Sequence, residues 1–164
     1  MESHFRILHS GRAVNHMHSL TPLHILQKRA IRIVAKAPYN SHHIPLCYSL
    51  EILDLEHLYS VRALSFFNDY FHGNLPPFFL NKFNLYFSRN NVLFIKTNYR
   101  RTHIASCSIF HTLTNIWNPL PSELKIEISK SKKTFINKIK MHFIAEYKNW
   151  KCETPHCFVC IKHQ

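Results

Sequence analysis

The densest set of chemically able side chains lies at the end of the chain, where KCETPHCFVCIKHQ gathers Cys152, His156, Cys157, Cys160 and His163. Thiolates and imidazoles are the usual ligands of tetrahedral zinc, and the CxxC pair Cys157 and Cys160 lets one turn present two sulfurs to one ion. Cys152, Cys157, Cys160 and His163 make a complete ligand set, with His156 as a substitute, so zinc is the cofactor this tail suggests. The spacing is shorter than in standard zinc fingers, and a disordered or partner-dependent tail is the alternative. Five cysteines, an odd number, spread as Cys47, Cys107 and this terminal trio, do not form a disulfide framework, and reduced thiols fit better.

Elsewhere the residues of catalysis are sparse. The chain has nine carboxylates, and none forms the adjacent aspartate pair that a two-metal polymerase site needs. His16, His18, His42 and His43 have no nucleophile or acid at a readable spacing. Cys47 and Cys107 sit in apolar sequence and read as small buried hydrophobes. Two glycines in 164 residues leave no Gly-rich loop to approach a phosphate. The expectation is a protein without catalysis of its own.

Charge points to a different chemistry. Against the nine acids stand 21 lysines and arginines, a formal charge of +12, and fourteen histidines can add to it as pH falls. A polyanion is the natural partner for such a chain, with a plain solvated surface as the bland alternative. Lys28, Arg29, Arg32 and Lys36 lie within HILQKRAIRIVAKA, where Lys28, Arg32 and Lys36 at i, i+4 and i+8 make a basic ridge. Arg89, Arg100 and Arg101, with Tyr86, Phe87 and Tyr99 nearby, have the mixture that single-stranded nucleic acid binders use, charge for phosphate and rings for bases. After Pro121 the basic residues are nine lysines and no arginine, which suits backbone neutralisation more than bidentate base reading.

The elements that would carry these residues are mainly helical. Thr21 and Pro22 supply an N-cap and first-turn proline, Pro38 a stop, and between them Ile25, Leu26, Ala30, Ile33, Val34 and Ala37 share one side of a helical wheel expected to face the core. A short helix is expected over 41–49 with Ser41 as its cap, and a longer one from Asp54 to about Phe71, ended by Gly73 and Asn74. Loop with one hairpin is expected over 81–101, including a strand at Val92–Ile95. A short helix follows over 107–118, then a last one with Phe135, Ile139, Phe143 and Tyr147 on one face and Ser131 or Thr134 as its cap. With 46% hydrophobic residues the chain folds rather than staying disordered. It shows no secretory signal and no run approaching the ~18 apolar residues of a membrane span, so it reads as intracellular, nuclear or cytoplasmic, with no membrane partner.

Several of these pieces, in order, resemble one family. LQKRAIRIV, LEILDLEHLYSVRALSFFNDYFHGNLPPFF, YFSR, IWNPLPSELK and SKKTFINKIKMHFI are similar to the region downstream of the polymerase in non-LTR (LINE-type, jockey-like) retrotransposon reverse transcriptases, from about Ile7 to Tyr147. Ser10 and Gly11 stand where such proteins usually carry a WG pair, and Leu113 where a glycine usually precedes the IWN motif. The resemblance implies a fragment that lacks the catalytic aspartates of its parent. Its thumb-end and post-polymerase helices would occupy 1–73, a loop or hairpin with C-terminal helices of the same unit 74–150, and the Cys/His-rich tail 151–164. It implies binding of template RNA or an RNA/DNA hybrid through Lys28, Arg29, Arg32, Lys36 and Arg89. A module that docks on the missing polymerase domain of the parent, or a relic without function, are the other readings.

Overall fold

The computed structural model of the chain describes residues 14–96 and 108–152. The fold is mainly α-helical with one small antiparallel hairpin in its middle, as the sequence leads one to expect. Six helices are described: α1 (Val14–Val34), α2 (His43–Ser49), α3 (Leu55–Phe71), α4 (Ile109–Trp117), α5 (Ser122–Ile126) and α6 (Lys132–Lys148). Strands β1 (Leu85–Phe87) and β2 (Leu93–Ile95) pair with Leu85 opposite Ile95 and Phe87 opposite Leu93. Among the described residues no helix is long and apolar enough to cross a membrane.

The chain forms two compact units. Among the described residues, one is built from 14–19 and 59–139 and the other from 20–58 and 140–152. The core of the first is aromatic. Leu64, Phe67, Leu113, Trp117, Phe135 and Ile139 are all fully buried. Phe67 meets Trp117 at 4.8 Å and Phe83 at 5.4 Å between ring centroids, within the range where tilted rings attract. Trp117 Nε1 donates to the Leu93 carbonyl at 3.0 Å, so its polar atom is satisfied inside the core. Asn118 clamps the strand end, donating to the Ile95 carbonyl and accepting the Ile95 N–H.

The hairpin turns through Ser88–Asn91, where Asn91 N donates to the Ser88 carbonyl and Asn91 adopts φ 55°. A tight turn closed by a left-handed residue matches the twist of paired strands, and asparagine tolerates that conformation. Helix ends use the same device, two of them without glycine. The last residues of α1, α2 and α3 each show the paired 6→1 and 5→2 backbone bonds of a Schellman ending, with Lys36, Glu51 and Gly73 at φ 50°, 53° and 70° in the left-handed position. Lys36 is therefore past the end of α1 and not on the ridge of Lys28 and Arg32.

In the second unit α1 departs from expectation in two ways. It begins at Val14, so Thr21 and Pro22 lie inside it and do not start it; Pro22 is on the exposed side, where water can take the place of the hydrogen bond the proline removes. The apolar side expected in the core is open to solvent, with Leu26 58%, Ile33 77% and Val34 63% exposed, and Ile31 is the apolar residue buried instead. The polar side packs because it has partners. The Gln27 amide donates to the Leu53 carbonyl and accepts the Leu55 N–H, satisfying two backbone groups at the approach to α3. Arg32 Nε donates to the Ser41 carbonyl at 2.8 Å. His42, not Ser41, occupies the N-cap position of α2, without a side-chain cap bond, and Cys47 is fully buried as expected.

Candidate nucleic-acid interface and a buried polar cluster

The cations expected to meet a polyanion have distinct surroundings. On α1, Arg29 is exposed, Lys28 is half-buried, and Arg32 is committed to Ser41 with its guanidinium 6.0 Å from the Tyr39 ring centre. Lys36 is exposed at the helix end. Arg89 occupies the hairpin turn, exposed, and Arg100 and Arg101 lie outside the described residues. Arg29, Lys36, Arg89, Lys96, Lys133 and Lys140 are exposed, and none has a carboxylate within ion-pair distance among the described residues. Lys132 pairs with Asp69, while Lys130 and Lys138 share Glu127 and hold its carboxyl below the usual range.

The hairpin gathers charge and rings on one small element of the first unit. Tyr86 and Phe87 are 49% and 61% exposed, although strand aromatics usually seek cover. Tyr86 stacks on Phe94 across the strands at 5.8 Å, and Lys125 Nζ lies 3.9 Å from the Phe94 ring centre. Lys125 is buried, its ammonium donating to the Asn118 carbonyl at 2.7 Å, and burial lowers its pKa. Beside these strands is an open hollow of about 480 Å³ lined by Asn84, Leu85, Tyr86, Ile95, Lys96 and Asn118. It offers one ring, one ammonium and amide groups, at a volume within the range of small-ligand sites. Lys96 has no place in the sequence reading. Its signal is position: it is the residue after the strand expected at Val92–Ile95.

The sequence reading also missed a buried polar cluster in the second unit. Asp54 caps α3, its Oδ1 accepting the His57 N–H at 2.9 Å and the His57 Nδ1–H at 2.8 Å. Tyr147 Oη accepts the Asp54 N–H at 3.0 Å, and Glu146 Oε2 lies 3.7 Å from His57 Nε2. Burial alone would lower the His57 pKa, but the bond to Asp54 and the charge of Glu146 outweigh it and raise it to about 9. Burial would raise Glu146, yet His142 and His57 bring it down to about 2. Asp54 is likewise lowered, with His57 overcoming burial. Tyr147 is pushed up by burial and by the Asp54 charge, and Cys47 for the same reasons to about 11. The cluster sets one imidazole between two carboxylates, with its phenol and thiol held neutral. An aspartate three residues before a histidine at a helix start was the local signal available.

No family model, no curated protein and no solved structure matches the chain.

Adjacent to the cluster, His24 on α1 and His43 at the start of α2 meet edge to face, with ring centroids 5.6 Å apart. His24 Nε2 is buried with no hydrogen-bond partner. Burial first, then the Lys28 charge, lowers the pKa of both imidazoles, that of His43 to about 4. Of the zinc ligands expected in the tail, Cys152 is half-buried, while Cys157, Cys160 and His163 lie outside the described residues.

Proposed function

We propose that the chain is a non-catalytic nucleic-acid-binding module that holds single-stranded RNA or an RNA/DNA hybrid through backbone phosphates, as the post-polymerase part of a non-LTR retrotransposon reverse transcriptase would. The observation that carries this reading is the set of exposed, unpaired cations, with Arg89 and Lys96 beside the exposed rings of Tyr86 and Phe87. Cations without acidic partners release counterions when phosphates replace them, which drives binding without base specificity. Rings on the same element give bases a surface to stack on. The sequence likeness to that region supports the choice of RNA or hybrid over duplex DNA.

An electrophoretic titration against single-stranded RNA in rising salt tests it. Affinity falls with salt, at about 0.7 in log K per log salt for each phosphate contacted. No binding at low salt, or binding indifferent to salt, overturns the reading.

One observation favours a second reading, a module that docks on a polymerase domain of the parent protein. Leu23, Leu26, Ile33 and Val34 leave an apolar stripe on α1 open, where a soluble helix ordinarily presents polar residues. Co-expression with such a domain separates the two: solubility rescued by the domain, with no RNA binding, favours docking.

A further inference from the structure

We propose that His24, His43 and Asp54 form a binding site for one zinc-class divalent cation in the second unit, distinct from the cysteine-rich tail. Each of the three offers one ligand atom, and these atoms lie within 4.8 Å of one another. Two imidazole nitrogens and a carboxylate oxygen are ligands zinc accepts, at bonds of about 2.0–2.2 Å with a fourth position left for water. Tetrahedral bonds of that length place ligand atoms about 3.3 Å apart, so binding draws the three together by rotation of His24 and His43 about their own side-chain bonds.

Two features of the cluster suit a cation better than plain packing. His24 Nε2 is a buried polar atom without a partner, the kind of atom that a native structure ordinarily satisfies and that a metal would satisfy here. Asp54 is already held by the His57 ring and backbone, the outer-shell support that ligating carboxylates receive in metal sites. Lys28 and Arg32 also face the histidines and oppose a cation, while Asp54 and Glu56 offset them. The three ligands come from α1, α2 and the cap of α3, so an ion here ties the three helical segments of Leu20–Leu58 together. The separations in sequence, 24 to 43 to 54, are too irregular for any motif to reveal.

The test uses the full chain carrying Cys152→Ser, Cys157→Ser and Cys160→Ser, which removes the tail thiolates. Titrated with Co²⁺, this variant gains the visible absorption of nitrogen- and oxygen-bound cobalt at one equivalent, without a thiolate charge-transfer band, and Zn²⁺ displaces it and raises the melting temperature. Adding Asp54→Asn keeps a good helix cap and abolishes the cobalt signal, as does His43→Gln. His57→Gln keeps the ligands and weakens binding about 10–100-fold. Circular dichroism confirms that the variants stay helical, and Asp54→Asn decides if His43→Gln unfolds. No cobalt bound by the thiolate-free chain overturns the proposal, and so does an equivalent still bound by folded Asp54→Asn.

Discussion

Tyr147 Oη lies 2.9 Å from His57 Nδ1, across ninety residues of sequence. The same hydroxyl accepts the Asp54 N–H, so one phenol near the end of α6 completes the hydrogen bonding at the start of α3. Tyr147→Phe removes the acceptor and leaves a buried N–H without a partner. The expected cost is about 1–3 kcal/mol in urea unfolding. Tyr39→Phe, at a ring 80% exposed, should stay within about 0.5 kcal/mol of the parent.

The acid side of the stability profile belongs in part to Glu146. Burial raises its pKa, but His142 and His57 reverse this and lower it to about 2, below the unfolded value of 4.5. A depressed carboxylate contributes stability that is complete above the unfolded pKa and is lost as pH falls through the folded one. Stability should therefore decline between about pH 4.5 and 2. Glu146→Gln, followed by unfolding at each pH, should flatten that decline. An unchanged acid slope would assign the loss to other carboxylates.

The helix endings give a pair of opposite predictions. Gly73 has φ 70° with nothing within 4 Å of where a Cβ would stand, so Gly73→Ala is opposed by backbone conformation alone and costs about 1–2 kcal/mol. Lys36 occupies the equivalent position at the end of α1, where a side chain is strained. Lys36→Gly should stabilise the chain by about 0.5–1 kcal/mol in thermal melts. It should also weaken RNA binding if Lys36 contacts phosphate, a separation of stability from affinity that few substitutions allow.

Which elements the sequence made legible follows from how local their signals are. Phe135, Ile139, Phe143 and Tyr147 repeat at i, i+4, i+8 and i+12, and all four are buried. Gly73 ends α3 as its presence suggests, two residues past Phe71. The hairpin was legible from Val92–Ile95, flanked by asparagine and arginine. By contrast the wheel of α1 assigned the wrong side to the interior, because the decisive interactions are non-local: Gln27 with the backbone of Leu53 and Leu55, Arg32 with Ser41. Polar residues with partners outcompete apolar residues without them, and the partners were invisible. The polar cluster was missed for the same reason. Asp54 and His57 are neighbours on α3, but the groups that set their charge, Glu146 and Tyr147, come from the far end of the chain.

For the proposed interface, Arg89 and the hairpin rings separate phosphate from base contacts. Arg89→Ala should weaken binding of all single-stranded sequences similarly and reduce the salt slope by about 0.7, one phosphate's worth. Tyr86→Ala should cost about 1–3 kcal/mol of binding with the salt slope unchanged, as loss of stacking does. Both residues are exposed, so folding should be little affected. Equal affinity in both variants would move the interface off the hairpin, toward Arg29 and Lys36.

The reversed face of α1 makes the most direct contrast between pattern and packing. Leu26 and Ile33 sit on its open side, so Leu26→Gln and Ile33→Gln should each change stability by less than about 0.5 kcal/mol. Ile31, 4% exposed, lies on the packed side, and Ile31→Ala should cost about 2–5 kcal/mol. The helical wheel read alone predicts the reverse order. If the open stripe docks on a polymerase domain, the two glutamine variants should also remain soluble on their own and lose co-purification with that domain. Large destabilisation by Leu26→Gln together with a mild Ile31→Ala would place the apolar stripe in the interior after all.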